Sequence, residues 1–304
     1  MPGVLEALPQ GARVAVIRLR SLGDCVLTTP ALDILKRRRP DARLSVIVED
    51  RFRPLFEGNP DVDEILPPDL PRLRRARPQL CLNLHGGPRS AWMTAFSGAR
   101  WRAGFSHFRN QFAYNLRIPR AQEILCVERK IHTAEHLASA IFYLGAPYCE
   151  VPRAKLAATK PAAPCAVIHP VAATPAKTWP ADRFLQVARW LDASGTEVVV
   201  IGSAAEDLSS FRAFRTLSGA PLSAIQSLMA SAVVFVGNDS GPAHMAAAFG
   251  VPSVVLFGAS DPGVWGPWRT PCAVLTAPEN ISDIPTAQVI EALERARRGS
   301  QVRV

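Results

Sequence analysis

The stretch VGNDSGPAHMAAAFGVPSVVLFG, Val236–Gly258, contains the fold in miniature. A valine-rich run over Val233–Val236 ends at Gly237, and the small-residue loop Asn238–Gly241 leads directly into a helix over Pro242–Phe249. Pro242 is expected at the first helical position, where its missing N–H costs no hydrogen bond. The short apolar run Ser253–Phe257 is the next strand. Strands that are apolar along their length belong to parallel sheets buried on both faces. Strand, helix and strand in succession therefore make one winding of an α/β sheet. The loop also carries chemistry. Backbone N–H groups at the helix start, Gly241 and the Ser240 hydroxyl form an anion site. Asp239 reads either as a helix cap or as a ligand-binding carboxylate. His244, one turn in, reads either as ligand-facing or as a core histidine.

The alternation extends outward in both directions. Upstream strands are expected over Ala15–Leu19, Leu44–Val48, Glu64–Leu66, Leu80–Leu84, Arg102–Phe105, Ala166–His169 and Glu197–Ile201. Helices are expected over Asp24–Arg38, Ser90–Ser97, Ala134–Leu144, Pro180–Ala193, Glu206–Leu217 and, at the end of the chain, Thr286–Arg298. The segment VPRAKLAATKPAAP breaks the pattern and reads as a linker over residues 153–164. The chain of 304 residues thus divides into domains at 1–152 and 165–304, with the last helix expected to pack back on the first domain. Two doubly wound Rossmann-like domains are expected to face a central cleft at the carboxyl ends of their strands, where ligands bind in open α/β sheets.

Composition narrows the function classes. Apolar residues make up 48% and charged residues 20%, which suits a globular protein. No apolar run approaches the ~20 residues that span a bilayer, and no secretory leader is evident, so a cytoplasmic protein is expected. The six cysteines form no CxxC pair and read as buried thiols. His132 and His136 stand at i, i+4 without a third ligand, so no metal is expected, and no cofactor either. The net charge of +9 is concentrated in the first half, with runs at Lys36–Arg39 and Arg72–Arg77. They read either as solvated helix ends or as attraction to something anionic. No aromatic residues interleave with them as in a single-strand binder, so a membrane surface or acidic acceptor is favoured over nucleic acid.

Two more strand-to-helix loops carry candidate residues. In RLRSLGDCVLTTPAL, Arg18–Leu32, Gly23 is expected to permit a tight turn, with Asp24 at or near the helix N-cap. Asp24 is either only a cap or a carboxylate that accepts a proton from an attacking hydroxyl. In IHPVAATPAKTWPADRF, Ile168–Phe184, Lys177 is either a solvated lysine or a point charge for a diphosphate. Trp179 and the flanking prolines shape this loop. None of the three loops is GxGxxG or a P-loop, which argues against a nicotinamide site or an NTPase.

Together with VEDRFRPLFEGNPDVDEIL and LHGGPRSAWMTAFSGARWRAGF, these loops resemble glycosyltransferase family 9, the lipopolysaccharide heptosyltransferases, from about residue 13 to 270 and in family order. The resemblance implies a GT-B fold, with the acceptor on the N-terminal domain and the nucleotide-sugar on the C-terminal one. It implies an inverting, metal-independent transfer of heptose from ADP-heptose to a lipopolysaccharide inner-core acceptor, by a protein at the inner face of the inner membrane. An alternative is a family member using another nucleotide-sugar in O-antigen or capsule synthesis. Asp24 looks like the family's base and Lys177 like its donor-phosphate lysine. Asp239, Ser240 and Gly241 look like its diphosphate loop, followed by His244. Glu206 is the best match for a ribose-holding acid. Ser21, Gly23 and His85 fall on the acceptor side. Where relatives often read HPGAS, this chain has His169-Pro170-Val171-Ala172-Ala173, without the glycine or a hydroxyl.

Overall fold

The structure, a computed structural model, describes residues 3–158 and 163–301. It divides into two compact units, Met1–Ala157 and Ala158–Val304. Residues 159–162 of the expected linker lie outside the described residues.

The first unit contains strands β1 (Arg13–Ile17), β2 (Arg43–Ile47), β3 (Glu64–Leu66), β4 (Leu80–Asn83), β5 (Trp101–Phe105) and β6 (Leu116–Ile118). Its helices are α1 (Val4–Ala7), α2 (Leu22–Arg38), α3 (Leu70–Arg75), α4 (Pro88–Ala95), α5 (Ala121–Leu125) and α6 (Thr133–Tyr143). The strands form one sheet in the order β3-β2-β1-β4-β5-β6, with every neighbouring pair parallel. Central strands are buried end to end, as the unbroken apolar runs require: β4 entirely, and β1 except for Arg13.

The second unit contains β7 (Cys165–His169), β8 (Val198–Gly202), β9 (Arg215–Ser218), β10 (Ala232–Asn238), β11 (Ser253–Phe257) and β12 (Cys272–Thr276). Its helices are α7 (Ala181–Ala193), α8 (Leu222–Ala230), α9 (Gly241–Phe249), α10 (Pro262–Trp265) and α11 (Thr286–Gln301). The sheet order is β12-β11-β10-β7-β8-β9, again parallel throughout. Counted from its own first strand, each unit has the order 3-2-1-4-5-6 of a doubly wound nucleotide-binding fold. The order reverses between β1 and β4, and between β7 and β10, and each reversal opens a crevice at the strands' carboxyl ends.

Several expectations need correction. The helix expected over Glu206–Leu217 does not form. Glu206 folds back to accept the Ser203 N–H (2.7 Å), and Asp207 accepts the Ser209 N–H (2.8 Å). The Asp207 bond is of the Asx-turn type, which competes with helix formation. The chain instead makes a short 3-10 turn, Ser209–Phe211, and then the edge strand β9. Gly23 makes no tight turn; it is buried in the first turn of α2 and is not among the glycines of positive φ. Asp24 does lie near the N-cap: Ser21 is the N-cap and Asp24 the third helical residue. Gly241 rather than Pro242 opens α9. Within the second unit, Val289, Ala292 and Leu293 of α11 join the core around Trp179 and Phe184. Two of the six cysteines, Cys126 and Cys149, are exposed.

The Lys36–Arg39 run is internal scaffolding rather than bait for an anion. Lys36 pairs with Asp63, Arg37 with Asp33, Arg38 with Glu6 and Arg39 with Asp41. Arg39 also donates to the carbonyls of Leu5, Leu8 and Pro9, which fastens the N-terminal segment. The first residues of the expected linker are likewise packed. Ala154 is buried, and the Lys155 ammonium lies 2.8 Å from Asp33 and 3.0 Å from Asp61.

Candidate active site

In the first unit, the β1–α2 and β4–α4 connections meet at the switch point. They line a cavity of about 510 Å³ with Arg18, Arg20, Ser21, Asp24, Arg51, Phe52 and His85. Ser21 Oγ donates to Asp24 Oδ2 at 2.9 Å, and Arg18 Nη1 donates to Oδ1 at 3.3 Å. Both carboxylate oxygens are thus held in place, while a quarter of the side chain stays exposed to the cavity. Arg18 is 6% exposed, and burial holds its guanidinium below the usual arginine range despite the neighbouring Asp24. Its Nε is buried without a hydrogen-bond partner. A buried donor left unmade is costly, so an acceptor group entering the cavity has one waiting.

His85 enters the cavity from the β4–α4 connection. Its pKa is lowered, first by burial and then by Arg18 and Arg20, so it stays neutral near pH 7. Asn83 holds this connection in shape. Its Oδ1 accepts the N–H groups of His85 (2.9 Å) and Gly86 (3.0 Å), and its Nδ2 donates to Ser90 and Tyr114. The only sequence signal for Asn83 is a polar residue ending a fully apolar strand.

Beyond β5 lies a second cavity, of about 680 Å³, lined by His107, Arg120, Gln122, Glu123 and His136. His136 stacks on Phe105 with ring centroids 4.1 Å apart, while His132 caps α6 by accepting the Ala134 N–H. The two helical histidines therefore have separate structural jobs. Burial, with His107 and Arg18 nearby, lowers His136 to about 4 from the ordinary 6.5. In the unfolded chain it binds its proton at the higher value, so the folded state loses stability as pH falls from 6.5 toward 4. The loss is on the order of 2–3 kcal/mol. Denaturant titrations of His136→Phe are expected to be flatter across that window than those of the parent; an identical slope would refute the assignment.

In the second unit, the β7–α7 and β10–α9 connections meet at the other switch point. Lys177 Nζ lies 3.1 Å from Asp239 Oδ2, which Ser260 Oγ also approaches as a donor. Asp239 therefore does not cap α9, nor does the Ser240 hydroxyl, which bonds His169 Nδ1 at 3.0 Å. The other ring nitrogen of His169 lies 3.7 Å from Glu206. That imidazole, with the Ser203 N–H, holds the Glu206 carboxyl below its usual range against partial burial. A chain Ser240–His169–Glu206 thus joins the α9 entrance to the β8 loop. Sequence reasoning placed Glu206 only by resemblance and missed His169. The available signal was a histidine ending a buried strand at the switch point.

Asn238 ties the two connections together, as Asn83 organises its own. It accepts the Trp179 N–H (2.9 Å) and donates to the Pro170 carbonyl (2.9 Å). Trp179 is fully buried and its indole N–H donates to Ile284, so it does shape the loop that presents Lys177. His244 is 5% exposed within α9. Val171 packs against the core at the start of the Lys177 loop. Among the described residues, no three His, Cys, Asp or Glu side chains are grouped to hold a metal ion.

Comparison with known proteins places this geometry. The family described as glycosyltransferase family 9 (heptosyltransferase) matches residues 71–286. Lipopolysaccharide heptosyltransferase 3 of Escherichia coli (strain K12) is 27% identical over 301 residues, covering 82% of this chain and 83% of that protein. A solved family 9 glycosyltransferase from Veillonella parvula superposes with a TM-score of 0.85 at 22% identity, over 95% of this chain and 98% of its own. The E. coli ADP-heptose lps heptosyltransferase II superposes at 0.79 with 24% identity, over 95% and 99%. These likenesses show the GT-B fold.

Proposed function

Since the chain belongs to glycosyltransferase family 9 and is a glycosyltransferase, we propose that it moves heptose from ADP-heptose to an inner-core acceptor of lipopolysaccharide, with inversion and without a metal. Residues 1–152 take the acceptor and residues 165–304 the nucleotide-sugar. The Lys177–Asp239 pair at the entrance of α9 carries this reading, because it sets a cation beside a helix N-terminus where a diphosphate would sit.

The acceptor hydroxyl loses its proton to Asp24 as its oxygen attacks the anomeric carbon. The bond from that carbon to the diphosphate breaks, and ADP leaves. Lys177 and the N–H groups of the Asp239–Gly241 loop stabilise the charge that grows on it, which is the kind of preorganised electrostatic help that contributes most to catalysis. These groups supply the positive charge for which other transferases use a divalent ion. Arg18, Arg20 and Arg51 suit the carboxylates and phosphates of an inner-core acceptor, with Ser21 and His85 beside them. The acceptor is lipid-borne, so the protein works at the inner face of the inner membrane. No nucleic acid is a partner.

Glu206 takes the ribose hydroxyls of the donor, and His169 positions it. His169→Ala is expected to weaken both ADP and adenosine binding by about three- to tenfold, or roughly 1 kcal/mol. Titration calorimetry checks this, and equal affinities in variant and parent would remove His169 from the donor site.

A second reading, transfer from another nucleotide-sugar, is favoured by one observation. Val171, Ala172 and Ala173 line a cavity of about 420 Å³ beside Trp179 where relatives often carry glycine and a hydroxyl. ADP release, measured with ADP-heptose and a truncated lipopolysaccharide acceptor, with and without EDTA, tests the proposal. Acceptor-dependent release that survives EDTA is expected. Release only in a metal-supplemented buffer would sink metal independence, and release only with another donor in a nucleotide-sugar panel would select the second reading.

A further inference from the structure

Helix α4 turns an aromatic face to solvent. Arg89, Trp92 and Phe96 stand at i, i+3 and i+7 on one stripe, with Trp92 54% and Phe96 50% exposed. Ser90, Ala91, Met93 and Thr94 are buried on the inner side. The outer face of a surface helix is ordinarily polar. Here Phe96 stacks on Trp92 with ring centroids 5.4 Å apart and planes 2° from parallel. Phe112, 57% exposed in the turn after β5, meets Trp92 with ring centroids 5.1 Å apart and planes tilted by 59°. The three rings make one continuous exposed platform, and contiguous apolar surface of this kind marks an interaction site.

The charge of the segment that carries the platform selects the partner. From Leu70 to Gln122 the chain carries ten arginines and no aspartate or glutamate. The arginines of the Arg72–Arg77 run are exposed, and Arg89 of α4 donates to the carbonyl of Pro68, just ahead of that run, at 2.9 Å. Arg89, Arg100, Arg109 and Arg117 are also exposed, and none has a carboxylate partner among the described residues. The contrast with Lys36–Arg39 is direct, since every cation of that run is neutralised within the fold. Exposed Trp and Phe with unpaired arginines match the headgroup region of an anionic bilayer: rings enter the interface while guanidinium groups pair with lipid phosphates.

We propose that the Trp92–Phe96–Phe112 platform and its surrounding arginines dock the protein on an anionic phospholipid bilayer. The proposal deepens the reading of a lipid-borne acceptor and rests on it. Among the described residues no helix is long and apolar enough to cross a membrane, so such an acceptor would be met at a surface. Helix α4 follows directly on His85, so the docking face and the Asp24 cavity share one connection.

The test uses the full chain and sedimentable vesicles, either pure phosphatidylcholine or containing about 30 mol% phosphatidylglycerol. Binding to the anionic vesicles is expected, weakened by salt as screening demands. A Trp92→Ala, Phe96→Ala, Phe112→Ala variant is expected to lose at least about tenfold in partitioning. An Arg89→Glu, Arg109→Glu variant is expected to lose the preference for phosphatidylglycerol. Far-UV circular dichroism and thermal-unfolding midpoints matching the parent show that both variants are folded. Unchanged partitioning of the triple variant overturns the proposal. So does a concentration-dependent dimer that the triple variant abolishes, since a second copy of the chain would then cover the platform. Vesicle binding is read without donor or acceptor, so it stands or falls apart from the transfer reaction. Vesicle binding without heptosyl transfer would leave the surface and remove the function. Transfer to a soluble acceptor without vesicle binding would do the reverse.

Discussion

Asp24→Asn is expected to lower kcat by about 10²–10⁴ while donor affinity stays within about twofold. The amide has nearly the shape of the carboxylate, and its one oxygen can still accept from Ser21 or Arg18, which now bond Oδ2 and Oδ1. What disappears is the basic oxygen that takes the acceptor's proton. The carboxylate also favours the first turn of α2, so its loss costs only about 0.3–1 kcal/mol of stability. Single-turnover transfer and ADP titration on one preparation separate the two effects. Turnover near that of the parent, with the fold intact, would dismiss Asp24 as the base and leave it a helix-terminal carboxylate. Ser21→Ala is the milder control, because it frees Asp24 Oδ2 without removing it.

The second large effect falls on the donor side. Lys177→Ala is expected to cut kcat by about 10²–10³ and to weaken ADP binding by about tenfold, with adenosine binding unchanged. The ammonium stands 3.1 Å from Asp239, whose other partner is Ser260, so its removal leaves that carboxylate beside the incoming diphosphate. Charge repulsion then adds to the lost attraction. Lys177→Arg keeps the charge in a wider, planar group and should recover part of the affinity. Equal loss for ADP and adenosine would point to a collapsed loop rather than a missing phosphate contact. No loss for either would return Lys177 to the surface lysines.

How much was legible differs between the sites. The Asp239–Gly241 loop follows a valine-rich strand and opens a helix, so local pattern alone made it a candidate anion site. Lys177 and Asp24 were legible as strand-to-helix residues, yet their roles came from resemblance, because a cap and a base look alike in one sequence. Glu206 was placed against the local pattern. The reading made it the start of a helix, whereas the chain after it makes only a 3-10 turn and then β9. His169 was missed because its two partners, Ser240 and Glu206, lie far along the chain, and only the β7–β10 and β7–β8 pairings bring them together.

Charge shows the same division. Both basic runs read alike as sequence. Lys36–Arg39 finds carboxylates at Asp63, Asp33, Glu6 and Asp41, two of them, Asp63 and Glu6, remote in sequence. The arginines of Arg72–Arg77 find none among the described residues and stay on the surface. The aromatic platform was equally hidden. Trp92 and Phe96 are ordinary apolar residues until the packing of α4 decides which side of the helix meets the sheet.

By itself the sequence determined the α/β class, the two-unit division and the loops that bear chemistry, because strand and helix periods and small-residue turns are local properties. Tertiary structure alone decided which side chains meet across the two switch points, which arginines are neutralised and which aromatic rings face water. Those outcomes depend on pairings between distant segments, which no local pattern encodes.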